Sequence, residues 1–285
     1  MYLPLEIPNA RVLVTVKTYP NPSVKYDELV CSAGFLESGE WIRIYPIKFR
    51  SLPYDQQYKK YNWIELDLVK RKDDIRQESY RPRLGIDQEI KIAGEIDTGK
   101  NRDWSERKNY ALKEVFTSMA DLISLAKTRD VWKSLATIKP KEFVRFEFQE
   151  DEREWKPKIK EGLRQLGLFD RSRDKKNREL QVIRKLPYRY YYHFLTDGDS
   201  TPRRLMIEDW EIGALYWNCL AQTEGDEFAA NELVRQKYET QFFERDLYLF
   251  VGTIKANHIK APNPFVIIGV FYPPKDQGTQ LTLNL

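Results

Sequence analysis

The chain has 285 residues, 41% hydrophobic and 32% charged, with a net charge of +4. That balance fits one large or two ordinary folded domains and excludes a disordered chain, while the longest apolar run, "FVIIGVF", is too short to span a bilayer. Two cysteines, Cys31 and Cys219, exclude a disulfide framework, and no basic segment precedes an apolar one at the start, so the expected location is cytoplasmic with no membrane contact.

Residues 1–100 read as a β-barrel-like domain. "ARVLVTVKTY" is a β-branched run that "PNPS" breaks. "ELVCSAGF" and "WIRIYPIKFR" flank the turn "ESGE" and predict a hairpin. "YNWIELDLVKR" sets Trp63, Glu65 and Asp67 against Ile64, Leu66 and Leu68, and "QEIKIAGEI" adds another strand. Some five short strands joined by polar turns predict a small barrel or sandwich. Residues 101–140 change character. From Trp104 to Ile138 there is no Pro or Gly, and Leu112, Val115, Phe116, Met119, Leu122 and Ile123 recur at helical spacing. The expectation is a connector of one or two helices with Asp103 as N-cap.

Residues 141–180 read as a charged strand and linker. "KPKEFVRFEFQE" alternates with period two, and a short helix is expected near 157–166. Residues 181–285 form the last unit. "QVIRKLPYRYYYHFLT" and "RRLMI" flank the turn "DGDSTP" and predict a second hairpin. A helix is expected from about Trp210, and another over "DEFAANELVRQKYETQFF". "DLYLFVGTI" and "FVIIGVFYPP" are apolar throughout, which predicts strands buried on both faces. The fold class is α+β: an OB-like N-terminal barrel, a helical connector, and a C-terminal antiparallel β-rich domain with helices packed on it.

The chemistry-bearing candidates are basic and aromatic. Between Arg171 and Arg189 eight Lys or Arg face two acids, a density that suits phosphates. The strand that follows, "RKLPYRYYYHF", puts Leu186, Tyr188, Tyr190, Tyr192 and Phe194 on a core face, and Arg189, Tyr191 and His193 on the other. In "WIRIYPIKFR", Arg43 lies between Trp41 and Tyr45, with Lys48 and Arg50 beyond. The expected nucleic-acid contacts are therefore Arg43, Lys48, Arg50, Arg171, Arg173, Lys175, Lys176, Arg189 and Tyr191. The loop "KTYPNPSVKY", stiffened by two prolines, could turn Lys17, Tyr19, Ser23, Lys25 and Tyr26 toward an anion. An acidic set, Asp209 and Glu211 with Glu65, is the weaker alternative as a Mg²⁺-dependent nuclease centre. The two histidines and two separated cysteines give no zinc spacing, and no phosphate-binding glycine loop or nucleophile elbow is present, so neither metal nor cofactor is expected.

With "KYDELVCSAGFLESGEWIRIYPI" in view, the first region resembles the N-terminal part of dual-OB-type β-barrel proteins of bacterial defence and conflict systems. "DLYLFVGT" and "PFVIIGVFYPP" are similar to the closing strands of related bacterial proteins. The resemblance covers about a third of the chain and carries no catalytic signature. It implies a non-enzymatic nucleic-acid-binding protein, a subunit of a larger prokaryotic assembly. A metal-dependent nuclease and a protein-interaction subunit stand as alternatives.

Overall fold

In β1 (Glu6–Lys17) apolar residues are buried on both sides of the strand, and that double burial organises the molecule. Ala10, Val12 and Val14 point into one core, while Leu13 and Val16 point into another. The computed structural model describes residues 3–23, 27–157, 161 and 183–275. The first unit comprises β1, β2 (Asn21–Ser23), β3 (Asp27–Leu36), β4 (Trp41–Ile47), β5 (Asn62–Lys70), β6 (Ser79–Pro82) and β7 (Lys91–Glu95). The order β1-β3-β4-β6-β5 returns to β1 and closes a five-stranded barrel, with β2 and β7 added at its sides. All its pairs are antiparallel except β4–β6.

The small residues of "CSAG" have a steric reason. A Cβ on Gly34 would lie 1.9 Å from the Leu13 carbonyl oxygen, so only glycine lets β3 approach β1 this closely. The hairpin between β3 and β4 turns at Gly39, whose φ is +89°.

The expected helical connector is corrected in part. Two short helices form, α1 (Ser105–Ala111) and α2 (Met119–Lys127), but β8 (Val115–Phe116) lies between them and β9 (Leu135–Ile138) follows. Val115 and Phe116 pair with Thr137 and Ile138 in parallel, so sheet hydrogen bonding overrides the helical spacing. Asp103 sits one residue before the N-cap, which is Trp104, and accepts from the Ser105 amide at 3.0 Å.

The second unit is a seven-stranded mixed sheet in the order β10-β11-β12-β14-β13-β9-β8. Its further strands are β10 (Glu142–Glu150), β11 (Tyr188–Leu195), β12 (Arg203–Ile207), β13 (Tyr248–Thr253) and β14 (Phe265–Phe271), with helices α3 (Trp210–Gln222) and α4 (Glu227–Arg235) packed on it. The pairings β12–β14 and β8–β9 are parallel, so the sheet is mixed where antiparallel pairing was expected. Along β13, Leu249 and Val251 face the helices, while Phe250 faces the barrel with Phe35 and Trp41. This is the double burial that the apolar run predicted. Each aromatic side chain moved from water into that seam contributes on the order of 2–3 kcal/mol.

In β11 the core tyrosines satisfy their hydroxyls. Tyr188 donates to Glu227 at 2.8 Å, Tyr190 bonds Asn231 at 2.9 Å, and Tyr192 donates to the Tyr238 carbonyl. The helix expected near 157–166 lies outside the described residues except at 157 and 161. No helix among the described residues is long and apolar enough to cross a membrane.

Candidate functional site

The end of β1, the β4–β5 connection, the start of α1, the start of α3 and the end of β14 meet at one end of the barrel. They enclose a cleft of about 590 Å³ lined by Lys17, Lys59, Lys60, Tyr61, Thr98, Trp104, Arg107, Trp210, Glu211, Ala214, Val270 and Tyr272. Both units contribute walls. Among the described residues the lining has four cations, four large aromatic rings and one carboxylate.

Two of those rings stand on unusual backbone. Tyr61 has φ +67° and Trp104 has φ +61°, a left-handed region that costs a bulky residue roughly 1–2 kcal/mol. Tyr61 is held there because its amide donates to the Val14 carbonyl at 2.6 Å and its carbonyl accepts from Ile96 at 2.9 Å. Trp104 donates to the Thr98 carbonyl at 3.0 Å and opens α1 by accepting from Lys108. Two strained aromatic residues in one cleft are the pattern by which a site aims side chains.

The cations differ in how they are compensated. The Lys60 ammonium lies 2.8 Å from Asp209 and 2.9 Å from Glu211. Burial works against that charge, but the two carboxylates outweigh it and hold the Lys60 pKa above the ordinary lysine value. Asp209 also caps α3 by accepting from the Glu211 amide, and burial raises its carboxyl pKa. Lys17, Lys59 and Arg107 have no carboxylate at ion-pair distance among the described residues. Lys17 donates to the Tyr58 carbonyl at 3.1 Å and lies over the rings of Phe49 at 4.2 Å and Trp210 at 5.4 Å. Burial, together with neighbouring Lys60, lowers its pKa to about 8. Arg107 donates to the Ile96 carbonyl and stacks 3.7 Å from the Tyr61 ring centroid and 5.1 Å from that of Trp104. Cations without a close ion pair beside flat aromatic surfaces can receive an anion that carries a ring.

The residues singled out from sequence divide among several places. Arg43 is corrected outright as a surface contact. It is 4% exposed, donates to the Ser134 hydroxyl at 2.8 Å and its carbonyl at 3.1 Å, and Glu78 accepts from the same serine's amide and hydroxyl. Beside it Arg76 binds both oxygens of Asp74 and donates to the Thr253 carbonyl of β13, so this buried network ties the barrel to the second sheet. Lys48 approaches Asp87 at 3.8 Å, and Arg50 is partly buried in the short helical turn Phe49–Ser51. Arg189 is half exposed and pairs with Asp151 at 2.9 Å. Tyr191 is buried beneath the Arg204 guanidinium, 3.4 Å from its ring centroid, which closes the ring to a stacking base. Arg171, Arg173, Lys175, Lys176, Lys25 and Tyr26 lie outside the described residues.

The acidic alternative does not assemble as expected. Asp209 and Glu211 close on Lys60, whereas Glu65 pairs with Lys91 at 2.9 Å and approaches Arg11 at 3.8 Å. No group of three or more His, Cys, Asp or Glu converges as metal ligands would among the described residues. Of the sequence candidates among the described residues, Lys17 and Glu211 line the cleft. Lys59, Lys60, Tyr61, Trp104, Arg107 and Tyr272 escaped notice, and the available signals were "KKY" in "YKKYNW" and the three-residue spacing of Trp104 and Arg107.

Residues 8–113 match the family described as domain of unknown function DUF8758, and residues 115–284 match domain of unknown function DUF8757. No curated protein matches the chain.

Proposed function

The chain belongs to the DUF8757 family, whose description leaves function open, and we propose that it is a non-enzymatic nucleic-acid-binding protein that works in the cytoplasm. The observation that carries this reading is the cleft, where Lys17, Lys59 and Arg107, with no ion pair among the described residues, stand beside the partly exposed rings of Trp104, Trp210 and Tyr272. Phosphates take the cations and bases take the rings, as in proteins that bind single strands without sequence preference. The closed barrel supports the reading as an OB-like unit, a fold whose surface and loops bind oligonucleotides elsewhere. By its resemblance to dual-OB-type proteins, the chain acts as a subunit of a larger prokaryotic defence or DNA-processing assembly. Anisotropy of labelled single- and double-stranded DNA and RNA at low salt tests the proposal. Saturable binding supports it, and no affinity for any of the four overturns it.

A further inference from the structure

Three of the cleft's four cations fall into two groups. Lys17 and Lys60 act on each other, and Lys17 lies 5.4 Å from the Trp210 ring centroid. Arg107 sits on Tyr61 and Trp104 instead. Tyr61 and Tyr272 belong to both neighbourhoods, since the charges of Lys60 and Arg107 act on each of them. Trp104 packs on Tyr272 with centroids 5.0 Å apart, which joins the aromatic surface across the two units. The cleft thus presents cation, aromatic surface, cation.

A nucleotide within a running strand has the same order: phosphate, nucleoside, phosphate. We propose that the cleft holds one unpaired nucleotide of a single strand, with one phosphate on Lys17 and the other on Arg107, and the base against Trp104 and Tyr272. This rests on the nucleic-acid reading above and sharpens it in two ways. The occupant is unpaired, because a base inside a duplex has both faces stacked and cannot enter a walled cleft. The occupant has phosphates on both sides, because a cation without a close ion pair among the described residues stands at each end, Lys17 at one and Arg107 at the other. Glu211, which shares Lys60 with Asp209, keeps Lys60 from acting as a third phosphate ligand, so Lys17 carries that end.

The test uses the full chain and three small probes in calorimetry at low salt: adenosine, adenosine 5′-monophosphate and adenosine 3′,5′-bisphosphate. A labelled single-stranded oligonucleotide is then displaced by each. A charge-assisted phosphate contact makes about a tenfold difference in affinity. The expected series is bisphosphate about tenfold tighter than monophosphate, and monophosphate tighter than nucleoside, with the same ranking in displacement. Arg107→Ala should collapse the difference between bisphosphate and monophosphate. Equal affinity of the two in the wild-type protein overturns the two-ended site without relying on any variant. An oligonucleotide that binds but is displaced by none of the probes overturns the cleft assignment while leaving the nucleic-acid reading standing. Bisphosphate binding without oligonucleotide binding overturns both the running strand as occupant and the nucleic-acid reading.

Discussion

Arg43→Ala separates a structural arginine from a nucleic-acid contact. The guanidinium makes two hydrogen bonds to Ser134, at 2.8 and 3.1 Å, in a site where Glu78 is also buried and bonds the same serine. A hydrogen bond to a charged group contributes about 1.5–3 kcal/mol, so losing two removes about 3–6 kcal/mol. Removing Arg43 also leaves the buried Glu78, which bonds the same serine, without the nearby guanidinium charge. The expected loss is therefore about 4 kcal/mol. At about 2–4 °C per kcal/mol for a chain of this size, the melting temperature should fall by about 8–16 °C. Urea unfolding followed by circular dichroism, with an unchanged m-value, reads the loss directly. Arg189→Ala is the control, because its half-exposed pair with Asp151 should contribute under about 1 kcal/mol and Lys185 still holds that carboxylate. A loss below about 1 kcal/mol for Arg43→Ala would refute the network as the tie between barrel and sheet.

Three further outcomes follow from single groups. Lys17 has its pKa lowered to about 8 by burial, and an anion binds only its charged form, so affinity for single strands should be flat below about pH 8 and fall above it; Lys17→Arg should bind through pH 9.5 without that fall, and an unchanged wild-type profile would remove Lys17 from the interface. His258 is buried with its pKa lowered to about 4 by burial, so the unfolded chain takes a proton first as pH falls below about 6.5; stability should drop between about pH 6.5 and 4, and His258→Gln should flatten that drop in a melting series against pH. A Cβ on Gly213 of α3 would lie 2.4 Å from the Tyr19 ring, whose hydroxyl is fixed by Trp217 and the Arg184 carbonyl, so Gly213→Ala should cost about 1–3 kcal/mol. Helix propensity alone would favour alanine by about 1 kcal/mol, so a stabilised variant would show that Tyr19 is not fixed against α3.

The legible parts of this fold are those where one physical rule dominates. Period-two alternation placed β5, β10 and β11, and uninterrupted apolar runs placed β13 and β14 between two layers. The failures arose where a distant partner decided the outcome. Val115 and Phe116 carry a helical spacing, but their backbone is claimed by β9. Arg43 sits between aromatic residues in a pattern that suits an exposed stacking strand, yet that face of the barrel is covered by the second unit, and nothing local to "WIRIYP" encodes the cover. The same holds for the cleft. Its residues come from five separated segments, and only their convergence gives meaning to "KKY" and to Trp104 with Arg107. The richest basic run in the sequence lies largely outside the described residues, so the cleft and not that run supports the functional reading.

The most direct measurement is the salt dependence of single-strand binding for the wild-type protein and for Lys17→Ala, Lys59→Ala and Arg107→Ala. For single strands the slope of log affinity against log salt is about −0.7 per phosphate neutralised. Each substitution should weaken binding and reduce the slope by about 0.7, with Arg189→Ala leaving both unchanged. Wild-type affinity and slope in all three cleft variants would contradict the cleft as the nucleic-acid interface.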